Sequence, residues 1–331
     1  MNRFFLKQYY PIFKAENKLC IGIPWGNDYL EVNYNENNYK KIEELIINGI
    51  DKGEILLHKE IRTLYKKNML SEYSKINNSN NIRLELFLQY LGVNKTVEDF
   101  YEKKILVFGA GAGGSTLLFM LAQIGFKKLY VVDDDLVDKF DLFKTLIYRK
   151  NSIGELKVES LKKVIKSNFN INIKGYRAKP INYEDINNFI NDIKPDFIVK
   201  ACDPSLSFRY NLNKLCFEKK IPFIYMSYAF ERINVGPLFI PGVTLSDLEL
   251  EKYYMKIKGK HYAFKKHEKL FSKEIIHPSV TFNVNILASL ILKEILFYFL
   301  ETPEFSLSIN KEVFFIPLNY KVFYRDLSKL N

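Results

Sequence analysis

The chain has 331 residues, 47% of them hydrophobic, and a formal net charge of +11. That length holds two domains and a substantial core, and the apolar fraction is ordinary for a globular protein. The positive charge suits an acidic peptide, a nucleotide or nucleic acid, but the lysines and arginines are scattered with no dense basic run, which argues against nucleic acid.

Residues 1–76 have a grammar of their own. Alternating runs predict strands at Phe4–Phe13, Leu19–Ile23 and Tyr29–Val32, with a turn at Pro24-Trp25-Gly26-Asn27-Asp28 between the last two. Apolar spacing at Ile42, Leu45, Ile46 and Ile50 predicts a helix over Tyr39–Ile50, and a second is expected over Ile55–Tyr65. A small sheet with helices suggests an α+β, winged-helix-like module. The polar run Lys75–Asn81 (KINNSNN) reads as a linker, so a second domain is expected over residues 80–331.

From Ile82 the pattern is α/β. A buried strand, Ile105–Phe108, opens into the glycine loop Gly109-Ala110-Gly111-Ala112-Gly113-Gly114. A helix follows, then an apolar strand ending in Asp133, Asp134 and Asp135. Strands at Ile171–Tyr176, Phe197–Val199 and Phe223–Tyr228 alternate with helices near Tyr183–Ile193 and over Ser207–Glu218. This alternation predicts a Rossmann-like, mainly parallel sheet covered by helices on both faces. Val235–Gly242 reads as an antiparallel extension and Leu248–Leu270 as a charged, Tyr/Lys-rich insertion. Val280–Leu300 reads as a long helix, and the tail from Phe305 supplies further strands. Cys20, Cys202 and Cys216 form no CxxC pair and read as reduced thiols of a cytoplasmic protein. The start MNRFFLKQYY has no signal-peptide form, and the longest apolar stretch, Ile286–Leu300, is interrupted by Lys293 and Glu294, so no membrane span is expected.

The glycine loop lets backbone N–H groups approach a phosphate at a helix N-terminus, and Asp133 stands where a carboxylate accepts from ribose hydroxyls. That fingerprint alone fits NAD, FAD, SAM or ATP. Its flank favours ATP: Asp135, Asp141, Lys144 and Ile153-Gly154-Glu155-Leu156-Lys157-Val158-Glu159 follow. Two lysines near a first phosphate loop serve a triphosphate, whose charge demands cations or Mg2+, better than a nicotinamide. Asp203, at a strand's carboxyl end, suits two roles that are not exclusive: holding Mg2+ and capping the next helix ahead of Pro204.

These residues resemble the ThiF/MoeB superfamily, bacterial relatives of ubiquitin-activating enzymes, over about Asn80 to Leu300. The motifs that carry the resemblance are GxGxxG, DxDxVxxxxL, GxxKVE and an Asp after the third strand. The branch most similar is the MccB-like one, which modifies ribosomally made peptides and places a small peptide-binding module first. The run GPLFIPG, ending at Gly242, fits that branch. The resemblance implies that Gly109, Gly111 and Gly114 hold the nucleotide, Asp133 contacts ribose, Lys157 binds the triphosphate and Asp203 holds Mg2+. It also implies that Arg83, in NNIRLELFLQYLG, reaches the nucleotide of a second subunit, so that a homodimer shares its sites; the alternative is a helix-surface arginine.

Several positions depart from the pattern. The family's Asn and Arg are replaced by Asp141 and Lys144, and lysine lacks the bidentate fork of arginine. Where relatives carry a first CxxC this chain has Ser246 and Glu249, and no cysteine follows Phe305, so no zinc site is expected. Cys202 reads as a strand-end thiol rather than a nucleophile. His58, His261, His267 and His277 read as surface or packing residues, and no proton donor suits an NAD-dependent oxidoreductase. The resemblance implies adenylation of a precursor peptide's C-terminal carboxylate with MgATP. The second reading is a catalytically degenerate clamp that delivers a leader peptide to a partner such as a cyclodehydratase subunit.

Overall fold

The computed structural model describes residues 3–72, 81–93, 95, 98–179, 182–202, 205–229, 231–259 and 280–328. The chain divides into two compact units, residues 1–96 and 97–331.

The first unit holds β1 (Arg3–Leu6), β2 (Ile12–Ala15), β3 (Lys18–Gly22), β4 (Tyr29–Asn33), α1 (Glu36–Ile47), β5 (Ile50–Asp51), α2 (Lys52–Ile55), α3 (Lys59–Lys66), β6 (Leu70–Ser71) and α4 (Ile82–Tyr90). They form two small sheets, β5-β1-β6 and β2-β3-β4. Phe4, Leu6, Leu19, Ile21, Leu45, Ile61 and Leu64 share one core. The single run expected over Phe4–Phe13 is two strands in two sheets. The chain turns at Lys7–Tyr10, where the Tyr10 amide donates to the Lys7 carbonyl at 3.2 Å. The helix expected over Ile55–Tyr65 is likewise two, because Leu56 and Leu57 are left in water between α2 and α3. The helix α1 starts three residues before the apolar pattern, as Asn35 caps it by accepting from the Asn38 amide at 2.8 Å.

The second unit begins with α5 (Glu98–Tyr101), β7 (Lys104–Phe108), α6 (Ala112–Ile124), β8 (Lys128–Val132), α7 (Lys157–Phe169), β9 (Lys174–Tyr176), α8 (Tyr183–Ile193) and β10 (Phe197–Lys200). It continues with α9 (Leu206–Glu218), β11 (Phe223–Ala229), β12 (Arg232–Phe239), α10 (Asp247–Lys258), α11 (Thr281–Phe299), β13 (Lys311–Ile316) and β14 (Lys321–Asp326). Eight strands make one sheet in the order β14-β13-β12-β11-β10-β7-β8-β9. Pairing is parallel from β9 through to β11 and antiparallel from β11 to β14. This is a Rossmann-like α/β sheet with an antiparallel flank.

Strand alternation sends Leu106, Phe108, Tyr130, Val132 and Ile198 into a core shared with α8, α9 and α10. The opposite face, with Ile105, Val107, Leu129 and Val131 fully buried, carries α6, α7 and α11. By length and composition α11 could cross a membrane, yet it packs on α6, β11 and β12. Its Glu294 is 1% exposed and accepts from the amides of Leu307 and Ser308 at 3.2 and 3.1 Å. The charge that interrupts the apolar stretch therefore anchors the segment leading to β13. The insertion expected over Leu248–Leu270 is helical through Lys258, and its remainder lies outside the described residues.

Successive strands leave β7 in opposite directions, β8 on one side and β10 on the other. The carboxyl end of β7 is thus a topological switch point, where ligands of open α/β sheets bind.

Candidate functional site

The chain leaves β7 through Gly109, whose φ of +109° is a left-handed conformation that L side chains avoid. A Cβ there would lie 2.8 Å from the Ala201 carbonyl oxygen, because the segment after β10 crosses directly behind it. At Gly114 a Cβ would stand 2.0 Å from the Gly109 carbonyl oxygen, so glycine is what lets α6 approach the strand. Gly111 differs: its side-chain direction meets nothing within 4 Å. It is the N-cap of α6 with no capping side chain, and the first helical bond is from the Ser115 amide to the Gly111 carbonyl. The amides of Ala112, Gly113 and Gly114 precede that bond, so the helix gives them no acceptor. An open face, unpaired N–H donors and a helix dipole together fit a phosphate group.

Asp133 follows β8 directly. One carboxylate oxygen accepts from the Ala110 amide at 2.6 Å and the other from the Asp135 amide at 2.8 Å. Burial pushes its pKa up against those two bonds and the Lys157 charge, and the net displacement is upward. A carboxylate has about four lone-pair sites, so Asp133 retains room for a ribose hydroxyl.

The excursion between β8 and α7 is closed by a bridge between Leu136 and Leu156. That closure brings Lys157 back to Asp135, whose carbonyl accepts from the Lys157 amide at 3.0 Å. The Lys157 ammonium then lies 3.1 Å from the Asp135 carboxylate and 3.5 Å from that of Asp141. Lys157 and Asp141 are 8% and 5% exposed, which makes theirs a buried pair, whereas the Asp135 side chain stands in water. A cation at the first residue of α7 opposes the helix dipole. Burial also lowers its pKa, but Asp141 and Asp135 outweigh that and hold it above the ordinary value. Lys144 is half-buried, three residues past Asp141, and has no carboxylate within 4.0 Å among the described residues.

The structure therefore gathers Gly109, Gly111, Gly114, Asp133, Asp135, Asp141 and Lys157 at one sheet edge. Asp203 lies outside the described residues, as do His261, His267 and His277. Arg83 is exposed on α4, in the first unit. Ser246 and Glu249 make a capping box at the start of α10, the Glu249 amide donating to the Ser246 hydroxyl at 3.2 Å. Cys20 and Cys216 are buried and Cys202 is half-buried. The carboxylates of Asp133, Asp134 and Asp135 lie within 4.8 Å of one another, with Asp134 and Asp135 exposed.

Sequence reasoning passed over three features. Tyr148 is buried, and its hydroxyl donates to the Ala110 carbonyl. Thr145 lies 3.4 Å from the Ser115 hydroxyl and 3.3 Å from that of Thr116, tying the 141–148 segment to α6. Lys200, 8% exposed at the end of β10, donates to the Cys202 carbonyl at 3.1 Å. A lysine closing an otherwise apolar strand was the available signal for the last.

The fold and this edge are those of an α/β protein of the Rossmann type. The chain belongs to the ThiF family, whose profile matches residues 80–305. It is 32% identical over 143 residues to SUMO-activating enzyme subunit 2 of Dictyostelium discoideum, covering 43% of this chain and 21% of that one. To the adenylyltransferase and sulfurtransferase UBA4 of Meyerozyma guilliermondii it is 36% identical over 123 residues, covering 37% and 28%. The chain thus spans under a third of the length of these two relatives. Among solved structures, E. coli MccB with ATP superposes at a TM-score of 0.75 with 20% identity, over 98% of this chain and 96% of that one. The microcin C7 biosynthetic enzyme MccB with N-formylated MccA also gives 0.75, at 18% identity over 98% and 96%. That similarity spans both units, including the first, which the family profile mostly omits.

Proposed function

We propose that the chain adenylates the C-terminal carboxylate of a ribosomally made precursor peptide, within a bacteriocin-like pathway. The observation that carries this reading is the joining of Lys157, Asp135 and Asp141 to a glycine loop already braced by Asp133. A carboxylate oxygen of the peptide attacks the α-phosphorus of ATP, the bond to the β-phosphate breaks, and pyrophosphate leaves. Such a displacement needs charge neutralisation more than proton transfer. The α6 amides receive phosphate oxygens, Lys157 and Lys144 supply cations, and Asp133 orients the ribose. Mg2+, held at Asp203, would screen the phosphates from one another and from Asp141.

The precursor peptide is bound by residues 1–76. The family's solved relative MccB has been captured with MccA, and the fold similarity extends over that part of the chain. We further propose a cytoplasmic homodimer in which Arg83 of one copy reaches the nucleotide of the other. Exposed Phe140, Phe143 and Leu146, 56%, 77% and 61% exposed beside Asp141 and Lys144, support such an interface.

One observation favours a second reading. Lys157 is engaged by two carboxylates, those of Asp135 and Asp141. A chain whose cation stays so engaged would bind its leader peptide and hand it to a modifying enzyme without adenylating it. Exchange of labelled pyrophosphate into ATP, driven by a peptide with a free C-terminus, separates the two. Exchange that is lost in Lys157→Ala and Asp203→Ala, and with an amidated peptide, supports the enzyme. Peptide binding without exchange supports the clamp.

A further inference from the structure

Ala110, at the centre of the glycine loop, is held through both of its flanking peptide units. Its amide donates to Asp133 at 2.6 Å, and its carbonyl accepts from the Tyr148 hydroxyl. Tyr148 is 3% exposed and Ala110 fully buried, so solvent replaces neither bond. Burial pushes the phenol's pKa up, and the charges of Asp133 and Asp141 push it further, so Tyr148 stays protonated and donates. Tyr148 belongs to the same segment as Asp141 and Lys144, and Thr145 within it meets Ser115 and Thr116 on α6.

We infer that Tyr148 is a positioning residue for phosphate binding: it fixes the rotation of the Ala110–Gly111 peptide and so aims the following amides at the phosphates. That peptide unit borders Gly111, a glycine with few steric restraints of its own. With the carbonyl released, it can rotate about its flanking bonds, and the amides after Gly111 lose their common direction. The same bond couples the loop to the segment carrying Lys144, so donors and cation keep a fixed separation. Tyr148 touches neither phosphate nor peptide in this role. The inference rests on the nucleotide reading of the site.

The test is Tyr148→Phe in the full chain, which removes one oxygen and leaves the ring's packing. Binding of ATP, ADP and adenosine is measured by calorimetry with Mg2+ present. One buried hydrogen bond changes an equilibrium by about five- to tenfold. Affinities for ATP and ADP are expected to fall by that factor while adenosine binding is unchanged, because the loop serves phosphates alone. Equal losses for all three ligands, or no loss for any, overturn the positioning role while leaving the nucleotide reading intact. A wild-type chain that binds none of them overturns both. Should the variant fold poorly, amide exchange in the wild-type chain decides: the Ala110 amide must be among the best protected between residues 109 and 114, and rapid exchange there contradicts the inference.

Discussion

Asp141→Asn removes the buried carboxylate that faces the Lys157 ammonium. The Asp141 carboxylate lies 3.5 Å from the Lys157 ammonium, and the two side chains are 8% and 10% exposed. At that distance and an effective dielectric of about 20 their attraction approaches ~5 kcal/mol, a ceiling that desolvation of both groups largely cancels. Asparagine can still accept from the Asp138 amide, which Asp141 does at 3.1 Å, so the local turn survives. Lys157 keeps Asp135, but that carboxylate is mostly exposed and holds it weakly. The variant should therefore lose about 1–2 kcal/mol of stability without ligand, less than breaking a buried pair outright. A triphosphate no longer competes with Asp141 for the ammonium, nor meets its negative charge. MgATP affinity should rise by about tenfold, equivalent to ~1.4 kcal/mol. Calorimetric titration of both proteins with MgATP is the assay. Affinity that is unchanged or weaker in Asp141→Asn would refute the idea that Lys157 must be drawn from Asp141 to a phosphate.

Other outcomes follow from the same geometry. Gly111→Ala should leave the melting temperature within about 1–2 °C, since nothing opposes its Cβ, yet weaken ATP by filling the open face. Gly114→Ala should instead destabilise the chain by about 2–3 kcal/mol, because its Cβ meets backbone at 2.0 Å. Urea midpoints measured beside ATP titrations distinguish the two, and equal behaviour would undercut the division of labour. Burial, with Asp247 nearby, raises the Glu312 carboxyl to about 7. The folded chain then keeps a proton that the unfolded chain releases, so this group's contribution is full below the unfolded value near 4.5 and is lost as pH rises through 7. The charges of Arg209 and Arg232 offset part of the effect. Between pH 5 and 7.5 the wild type should therefore lose about 1–2 kcal/mol relative to Glu312→Gln in urea titrations, and parallel pH curves would count against it.

The nucleotide half of the chain was legible because its signals are local. Two apolar strands, a glycine loop between them and an aspartate at the second strand's end leave one arrangement open to the backbone. The antiparallel flank was legible as a change of style at Val235–Gly242, though its strand partners were not. The break in Phe4–Phe13 was hidden because alternation marks strands without saying which sheet each joins. The capping asparagine of α1 and the two-residue strands β5 and β6 carry no periodicity for a hydrophobic pattern to detect. The buried pairing of Asp141 with Lys157 depends on the Leu136–Leu156 bridge closing a long excursion, and no spacing rule predicts which charges such a loop brings together. Tyr148 looked like one more aromatic residue in a chain with 22 tyrosines, so only its hydroxyl's contact with Ala110 sets it apart.

The central claim is that the carboxyl edge between β7 and β8 binds a magnesium-complexed triphosphate. Calorimetry of the full chain against MgATP and, separately, NAD+ addresses it directly. The account predicts saturable MgATP binding that Lys157→Ala weakens by tenfold or more, with no heat from NAD+. Binding of NAD+, or MgATP binding indifferent to Lys157, would contradict it.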